Sequence, residues 1–460
     1  MINKEVSRDE PGGKAKSFPV SRPPRSEPPS PQPAAPVLMR DRAFWGITAT
    51  QFLGAFNDTL FKQLLLLMAI PVGGHALGTD RQGVATIVFA LPFILGSGYA
   101  GYLSDRYGKR RVIVWSKVAE IVVMALGLAG FLYYGVTGYT GLLIVLFLMG
   151  LHSTFFGPGK YGILPEMLRE EDLPRANGII LMTTFLAIIF GTSSAGLLKH
   201  WLLPSGAMEA AAQDASRLAW GSLICIGIAM VGTLTSLQLR PVSPAHPGLR
   251  FTWETLAVPR DTRAVLWRDR ALWWALVASC VFWLVSGIAI QAVNSLGLRQ
   301  LGLNDSWTSM LTAFIAVGIM AGAIAGGQLC RVWPHRRVVL LGVGTMILAS
   351  SLLAITLPGG AHWLGFRGTI PVLMLLGLGA GCFAIPVQVF IQSRAPDEQK
   401  GRMIAVMNQM NFVAIFLAGI IYHVADRVLV HGNHPRSWLF GLMALFLLPV
   451  AAFYRLPENR

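Results

Sequence analysis

Apolar side chains in this chain gather in long unbroken runs instead of the short alternations of half-buried strands. Phe44 to Ile70, Val84 to Leu103, Val112 to Tyr134, Tyr139 to Gly157, Gly178 to Leu198 and Leu218 to Leu239 each extend for about 20 residues, the length of helix that crosses a hydrocarbon core. A second set follows at Ala271 to Leu296, Trp307 to Leu329, Val338 to Leu357, Thr369 to Ile391, Met403 to Val424 and Trp438 to Phe453. Lipid offers backbone groups no hydrogen-bond partner, so runs of this length satisfy themselves as helices whatever their Gly and Val content. The pattern predicts an all-α membrane protein with twelve transmembrane helices.

Composition agrees, since 53% of the 460 residues are hydrophobic and only 13% are charged, with a mean hydropathy of +0.55. The charge that remains is placed unevenly. Alternate loops hold Arg106 to Arg111, Arg169 and Arg175, Arg240 to Arg270, Arg331 to Arg337, and Arg394 to Arg402. The intervening ones hold only Arg81, Lys199, Arg217, Arg299, Arg367, Arg427 and Arg436. Lys and Arg collect on the cytoplasmic side, so both termini are predicted there. The formal charge of +15 is then explained by topology and anionic lipid, without a nucleic-acid partner. Residues 1–40 are rich in Pro, Ser and basic residues and read as a disordered cytoplasmic tail. The tail has no apolar core of a signal peptide and is expected to stay attached. Cys225, Cys280, Cys330 and Cys382 fall within or at the ends of separate runs with no metal spacing, so neither a metal nor a cofactor is expected.

The chain repeats itself. Sliding it by 226 residues lays Gly101–Val112 over Gly327–Val338, and a shift of 227 lays Phe185 over Phe412 and Ala187-Ile188 over Ala414-Ile415. This predicts a six-helix half at 41–240, a basic cytoplasmic linker at 241–270 and a second half at 271–460. Transporters that rock about a midplane site are built in this way.

Ionisable and amide groups inside the spans are the candidate site, because a charge there costs roughly 3 kcal/mol or more unless partnered or hydrated. Gln51, Asp58 and Lys62 are spaced seven and four apart on one stripe of the first helix. Asp58 and Lys62 can pair with each other or receive the ammonium and phosphate of a zwitterionic headgroup. Lys117 and Glu120, near the cytoplasmic end of the third helix, are expected to hydrate, snorkel or form an interhelical link. Lys160 and Tyr161 end the fourth helix beside Pro158, where a broken or kinked helix is expected. Phosphate capture and headgroup anchoring are both open there. The second half offers amides: Gln291 and Asn294, Gln388 and Gln392, then Asn408, Gln409 and Asn411. Singly these read as links between helices; together they outline a cavity charged on one side and amide-lined on the other.

The stretch Gly101-Tyr-Leu-Ser-Asp105-Arg106-Tyr-Gly108-Lys109-Arg110-Arg111 resembles the signature loop of the major facilitator superfamily. The resemblance implies the major facilitator fold, with Gly101, Asp105, Arg106, Gly108, Arg110 and Arg111 gating the cytoplasmic ends. A narrower resemblance lies in Gln51-Phe-Leu-Gly-Ala-Phe-Asn57-Asp58-Thr-Leu-Phe-Lys62, in Phe156-Gly-Pro-Gly-Lys160-Tyr161-Gly-Ile-Leu-Pro-Glu166, and in Ala176-Asn177-Gly178. In the second half it continues in Phe282-Trp-Leu-Val and in Gly401-Arg402-Met-Ile-Ala405. These are similar to the lysophospholipid transporter family, in order from residue 45 to about 420. The resemblance implies movement of lysophospholipid, such as lysophosphatidylethanolamine, across the bacterial inner membrane to an acyltransferase. That enzyme is fused to the transporter in some relatives and is expected here as a separate partner.

The family pattern fails at Leu181, where relatives tend to carry a Glu, which touches headgroup preference. An acyltransferase-like His75-x4-Asp80 spacing sits in a short external loop with no domain around it. No nucleophile or metal constellation supports an enzyme. A receptor or scaffold, and a proton-coupled exporter of drugs or metabolites with Asp58 titrating, stay open at this level.

Overall fold

The structure, a computed structural model, describes residues 37–70, 80–203, 215–244, 247–251, 260–394 and 400–454. The tail before residue 37, His75, and the side chains of Tyr161, Leu181 and Gln392 lie outside the described residues. Two series of long helices follow one another. The first comprises α1 (Arg42–Met68), α2 (Gln82–Tyr107), α3 (Lys109–Leu132), α4 (Tyr134–Gly162), α5 (Leu173–Leu202) and α6 (Ala219–Ser236). The second comprises α7 (Arg270–Ser295), α8 (Asp305–Leu329), α9 (His335–Ala354), α10 (Gly365–Arg394), α11 (Lys400–His431) and α12 (Trp438–Phe453). Ten of them are long and apolar enough to cross a membrane, leaving α1, which carries Asp58 and Lys62, and the shorter α12. The chain is thus an all-helical, multi-pass membrane protein, and exposed Trp45, Trp267 and Trp273 at one end and Trp201, Trp307 and Trp438 at the other form the aromatic belts of such a protein.

Helix contacts recur with the repeat. In the first series α2 packs on α4, α3 on α4 and α6, and α1 on α5 and α6; in the second α8 packs on α10, α9 on α10 and α12, and α7 on α11 and α12. The apolar core is divided in the same way, with one large cluster centred on α7–α12 and another on α1–α6.

At the end rich in Arg and Lys, α2 turns into α3 through Gly108 alone, whose φ of 82° lies in the region that favours glycine. A Cβ at Gly108 would also come within 3.1 Å of the Val242 carbonyl, because Val242 and Pro244 lie against this turn. Tyr102 donates to the Leu249 carbonyl, Phe251 packs edge-on against Tyr99 and Tyr102, and Arg240 pairs with buried Asp41. Arg106 bonds the Tyr102 hydroxyl and Arg110 donates to the Leu237 carbonyl at 3.1 Å. Gly101 has open space where a Cβ would stand, and Asp105 is half-buried. The expected break in α4 at Pro158 is absent. The helix runs through Pro158 to Gly162, and its non-helical backbone lies at Gly138 instead.

Polar contacts between the two halves gather at the opposite end. Lys199 of α5 pairs with Asp305 of α8 at 2.6 Å. Gln63 of α1 donates to Asn294 of α7 at 2.9 Å, and Asn294 donates to Gln82 of α2 at 2.9 Å. Both Gln82 and Tyr422 of α11 donate to Asp80 at 2.9 Å, while the Asp80 amide donates to Asp426, which Arg436 also engages. Asp80, Asn294 and Asp426 are fully buried by these contacts.

Burial pushes the Asp80 carboxyl up from its ordinary 3.8 to about 6; Asp426 adds to the rise, and hydrogen bonds from Gln82 and the charge of Arg299 oppose it. A carboxyl that holds its proton more tightly in the closed arrangement favours closure in acid. That contribution is full below about pH 4 and is lost as pH rises through 6. Spin labels at exposed Val136 and Leu357, one on each half at this end, should therefore give a longer or broader distance distribution at about pH 7.5 than at about pH 5. Asp80→Asn should flatten the difference, and identical distributions in the unmodified chain at the two pH values would refute the linkage.

Candidate functional site

Midway along the bundle the helices enclose a cavity of about 230 Å³. Its lining from α1 is Gln51, Gly54, Ala55, Asp58 and Thr59, the i, i+3, i+4, i+7, i+8 stripe of a single helical face. Opposite stand Lys117 and Glu120 of α3, His152, Ser153, Phe156 and Lys160 of α4, and Thr184 of α5. α2 contributes Phe89 and Phe93, and α11 contributes Asn408 and Phe412. The rings of Phe93 and Phe412 stack with centroids 3.7 Å apart, bringing the two halves together at one wall.

The charges in this lining are answered locally. Lys117 and Glu120 form an ion pair whose side chains are only 3% and 1% exposed, and Asn57 Nδ2 donates to Glu120 Oε1 at 2.7 Å. Gly54 makes the pair sterically feasible, since a Cβ there would lie 2.8 Å from Lys117 Nζ. Asp58 Oδ2 accepts from Ser153 Oγ at 2.6 Å, and His152 Nε2 stands 3.8 Å from Asp58 Oδ1. Lys117 and Lys160 both lie near the ring of Phe156, with Nζ 5.7 and 5.9 Å from its centroid. Gln51 donates to Thr184 at 3.2 Å, tying α1 to α5. Among the described residues the lining thus carries two carboxylates, two ammonium groups and one imidazole.

Sequence candidates divide between this cavity and other places. Gln51, Asp58 and Lys160 line it; Asn57 lies behind the lining, on Glu120. Lys62 shares the stripe with Asp58 yet forms no ion pair with it, because its ammonium lies over the Phe89 ring, 4.8 Å from the centroid. Gln291 and Asn294 belong to the closed end, where Gln82 donates to the Gln291 carbonyl at 3.2 Å, and Gln388 is half-buried outside the lining. Of the other amides, Asn408 reaches the cavity, Gln409 donates to the Ile94 carbonyl across the halves at 3.2 Å, and Asn411 accepts from Ser279 at 2.9 Å. Of the roles open to Lys117 and Glu120, the structure shows the interhelical link, Glu120 of α3 accepting from Asn57 of α1, and both side chains are too buried to hydrate at an interface. They sit about 12 to 17 Å along α3 from its first residue, at 1.5 Å per residue, which is deep enough to join the cavity. Reading the sequence missed His152 and Ser153; an ionisable side chain inside the apolar run Tyr139–Gly157 was the available signal.

Comparison with known proteins places this geometry. Residues 47–419 match the family model for the Major Facilitator Superfamily. The chain is 29% identical over 429 residues to the Lysophospholipid transporter LplT of Enterobacter sp. (strain 638), covering 90% of this chain and 95% of that one. It is 28% identical over 418 residues to the Lysophospholipid transporter LplT of Escherichia coli O6:K15:H31 (strain 536 / UPEC), covering 89% and 94%. Among solved structures, a POT family transporter in complex with 5-aminolevulinic acid superposes with a TM-score of 0.69 at 14% identity, covering 92% of this chain and 98% of that one. A D-xylose-proton symporter superposes at 0.66 with 14% identity, covering 91% and 98%. At that identity the structures are similar in fold alone.

Removing one member of a buried ion pair strands the other charge, at a cost of about 3 to 5 kcal/mol. Glu120→Ala should lower the stability of the purified protein by that amount in chemical unfolding followed in detergent. The double change Lys117→Met with Glu120→Met should recover most of the loss. Equal losses in the two variants would show that the ion pair is not what Glu120 contributes.

Proposed function

The chain belongs to the Major Facilitator Superfamily, and from that premise we propose that it is a secondary transporter moving lysophospholipid, lysophosphatidylethanolamine in particular, across the bacterial inner membrane. The observation that carries this reading is the lining of the cavity: Asp58 and Glu120 against Lys117 and Lys160, balanced in formal charge and set beside the aromatic wall of Phe89, Phe93 and Phe412. A phosphoethanolamine headgroup is likewise one cation and one anion, and a single acyl chain needs apolar wall. Its ammonium is assigned to Asp58, the carboxylate with an unbonded oxygen, and its phosphate to the Lys117–Phe156–Lys160 side. The two LplT relatives, similar over nearly their whole length, support the substrate class.

Movement is by alternating access. The loop asymmetry of Lys and Arg puts both termini in the cytoplasm. The network of Asp80, Gln82, Asn294 and Tyr422 then closes the external side, and Gly101, Asp105, Arg106, Gly108, Arg110 and Arg111 serve the cytoplasmic gate. In the opposite state the external network parts, and the ends now contacted by Val242, Pro244, Leu249 and Phe251 come together. Cargo delivered to the inner leaflet lacks one acyl chain, so a separate acyltransferase is its natural consumer.

Flux in proteoliposomes decides the reading. Headgroup-labelled lysophosphatidylethanolamine should cross faster than in protein-free vesicles. Asp58→Asn should slow it about tenfold or more, the size of one lost charge-assisted hydrogen bond, without lowering thermal stability. Flux equal to that of empty vesicles would sink the assignment.

A further inference from the structure

His152 is 6% exposed, lines the cavity and directs Nε2 toward Asp58 Oδ1 at 3.8 Å, and neither atom makes a hydrogen bond. The other Asp58 oxygen is taken by Ser153, and Glu120 is taken by Lys117 and Asn57. Asp58 and His152 are therefore the pair in this cavity whose facing atoms remain uncommitted. A neutral imidazole with Nε2 unprotonated adds an acceptor beside the carboxylate, and two acceptors suit a group with several N–H donors. An imidazolium is the reverse: its Nε2–H donates to the same carboxylate and neutralises it.

We propose that His152 is a proton-sensitive, specificity-determining partner of Asp58, so that a proton on His152 and a cationic headgroup compete for one carboxylate oxygen. A proton entering from water forms the Nε2–H bond as the ammonium leaves Asp58. The charge that departs is replaced by that of the imidazolium, and the net charge of the lining with its occupant is conserved. The inference rests on the reading of Asp58 as the partner of the headgroup ammonium. Other charged groups face the pair from three helices: Lys62 on α1, Lys117 and Glu120 on α3, and Lys160 on α4. α6 adds the buried thiol of Cys225, while α2, α5 and α11 face the pair with Phe89, Thr184 and Asn408, which carry no charge.

Acid should then weaken binding of a cationic headgroup, by up to about tenfold per pH unit for one competing proton, and should leave an anionic headgroup unweakened. The full-length protein in nanodiscs, titrated with lysophosphatidylethanolamine and with lysophosphatidylglycerol between about pH 5.5 and 8, tests this. The first lipid should lose affinity on acidification and the second should not. His152→Gln should bind the first lipid with no pH dependence. An unchanged pH profile in His152→Gln would mean that Asp58 titrates alone and would overturn the proposal, as would parallel losses for both lipids. If His152→Gln does not fold, the assigned His152 ring resonance in the wild-type chain decides. Lysophosphatidylethanolamine added at fixed pH should deprotonate the ring, and an unmoved resonance overturns the idea. A failure of the underlying reading looks different, since lysophosphatidylethanolamine would then not bind at any pH.

Discussion

A charge inside this bundle has to be answered by another polar group of the same chain, because hydrocarbon offers it nothing. That constraint sets where the first helices stand. Lys117 can exist within α3 because Glu120 lies three residues on and Gly54 of α1 leaves room for its ammonium. Glu120 in turn holds Asn57 of α1, and Ser153 of α4 holds Asp58. α1, α3 and α4 are thereby fixed in rotation as well as in distance, since turning any of them would strand a charge. The same rule operates at the closed end, where Asp80 and Asp426 are fully buried only because Gln82, Tyr422 and Arg436 converge on them.

The two halves share a backbone plan and differ in what they put into it. Equivalent helices meet equivalent partners, yet among the described residues the charged lining comes from α1, α3 and α4, and the second half adds only Asn408 and Phe412. Packing constrains the shape of each helix–helix contact, whereas a cavity wall is free of that constraint, so repeat copies can diverge there without disturbing the fold. The asymmetry suits an amphiphile, whose headgroup needs charge on one side and whose chain needs none on the other.

Much of the fold was legible in the chain. The apolar runs became helices because lipid leaves a backbone no other choice, and the long stretch from Phe44 to Ile70 corresponds to α1 despite Asp58 and Lys62 within it. The site was legible only along single helices. The seven-residue spacing put Gln51 and Asp58 on one stripe, and both line the cavity. The same stripe suggested that Lys62 would join them, but Phe89 of α2 draws its ammonium away. Gln291 and Asn294 looked like cavity amides from their place in the seventh span, and their height on α7 instead puts them beside Gln63 and Gln82 at the closed end.

Sequence by itself determined the solvent this protein lives in, the number and order of its apolar runs, its internal repeat and the face that α1 turns inward, because each follows from periodicity within one segment. Tertiary structure alone decided that Lys117 belongs to a cavity instead of an interface, that Asp80 closes one end of the bundle, and that His152 faces Asp58. Those facts depend on how far one helix slides and turns against another, and that is settled by contacts between residues as distant in the chain as Asp80 and Tyr422.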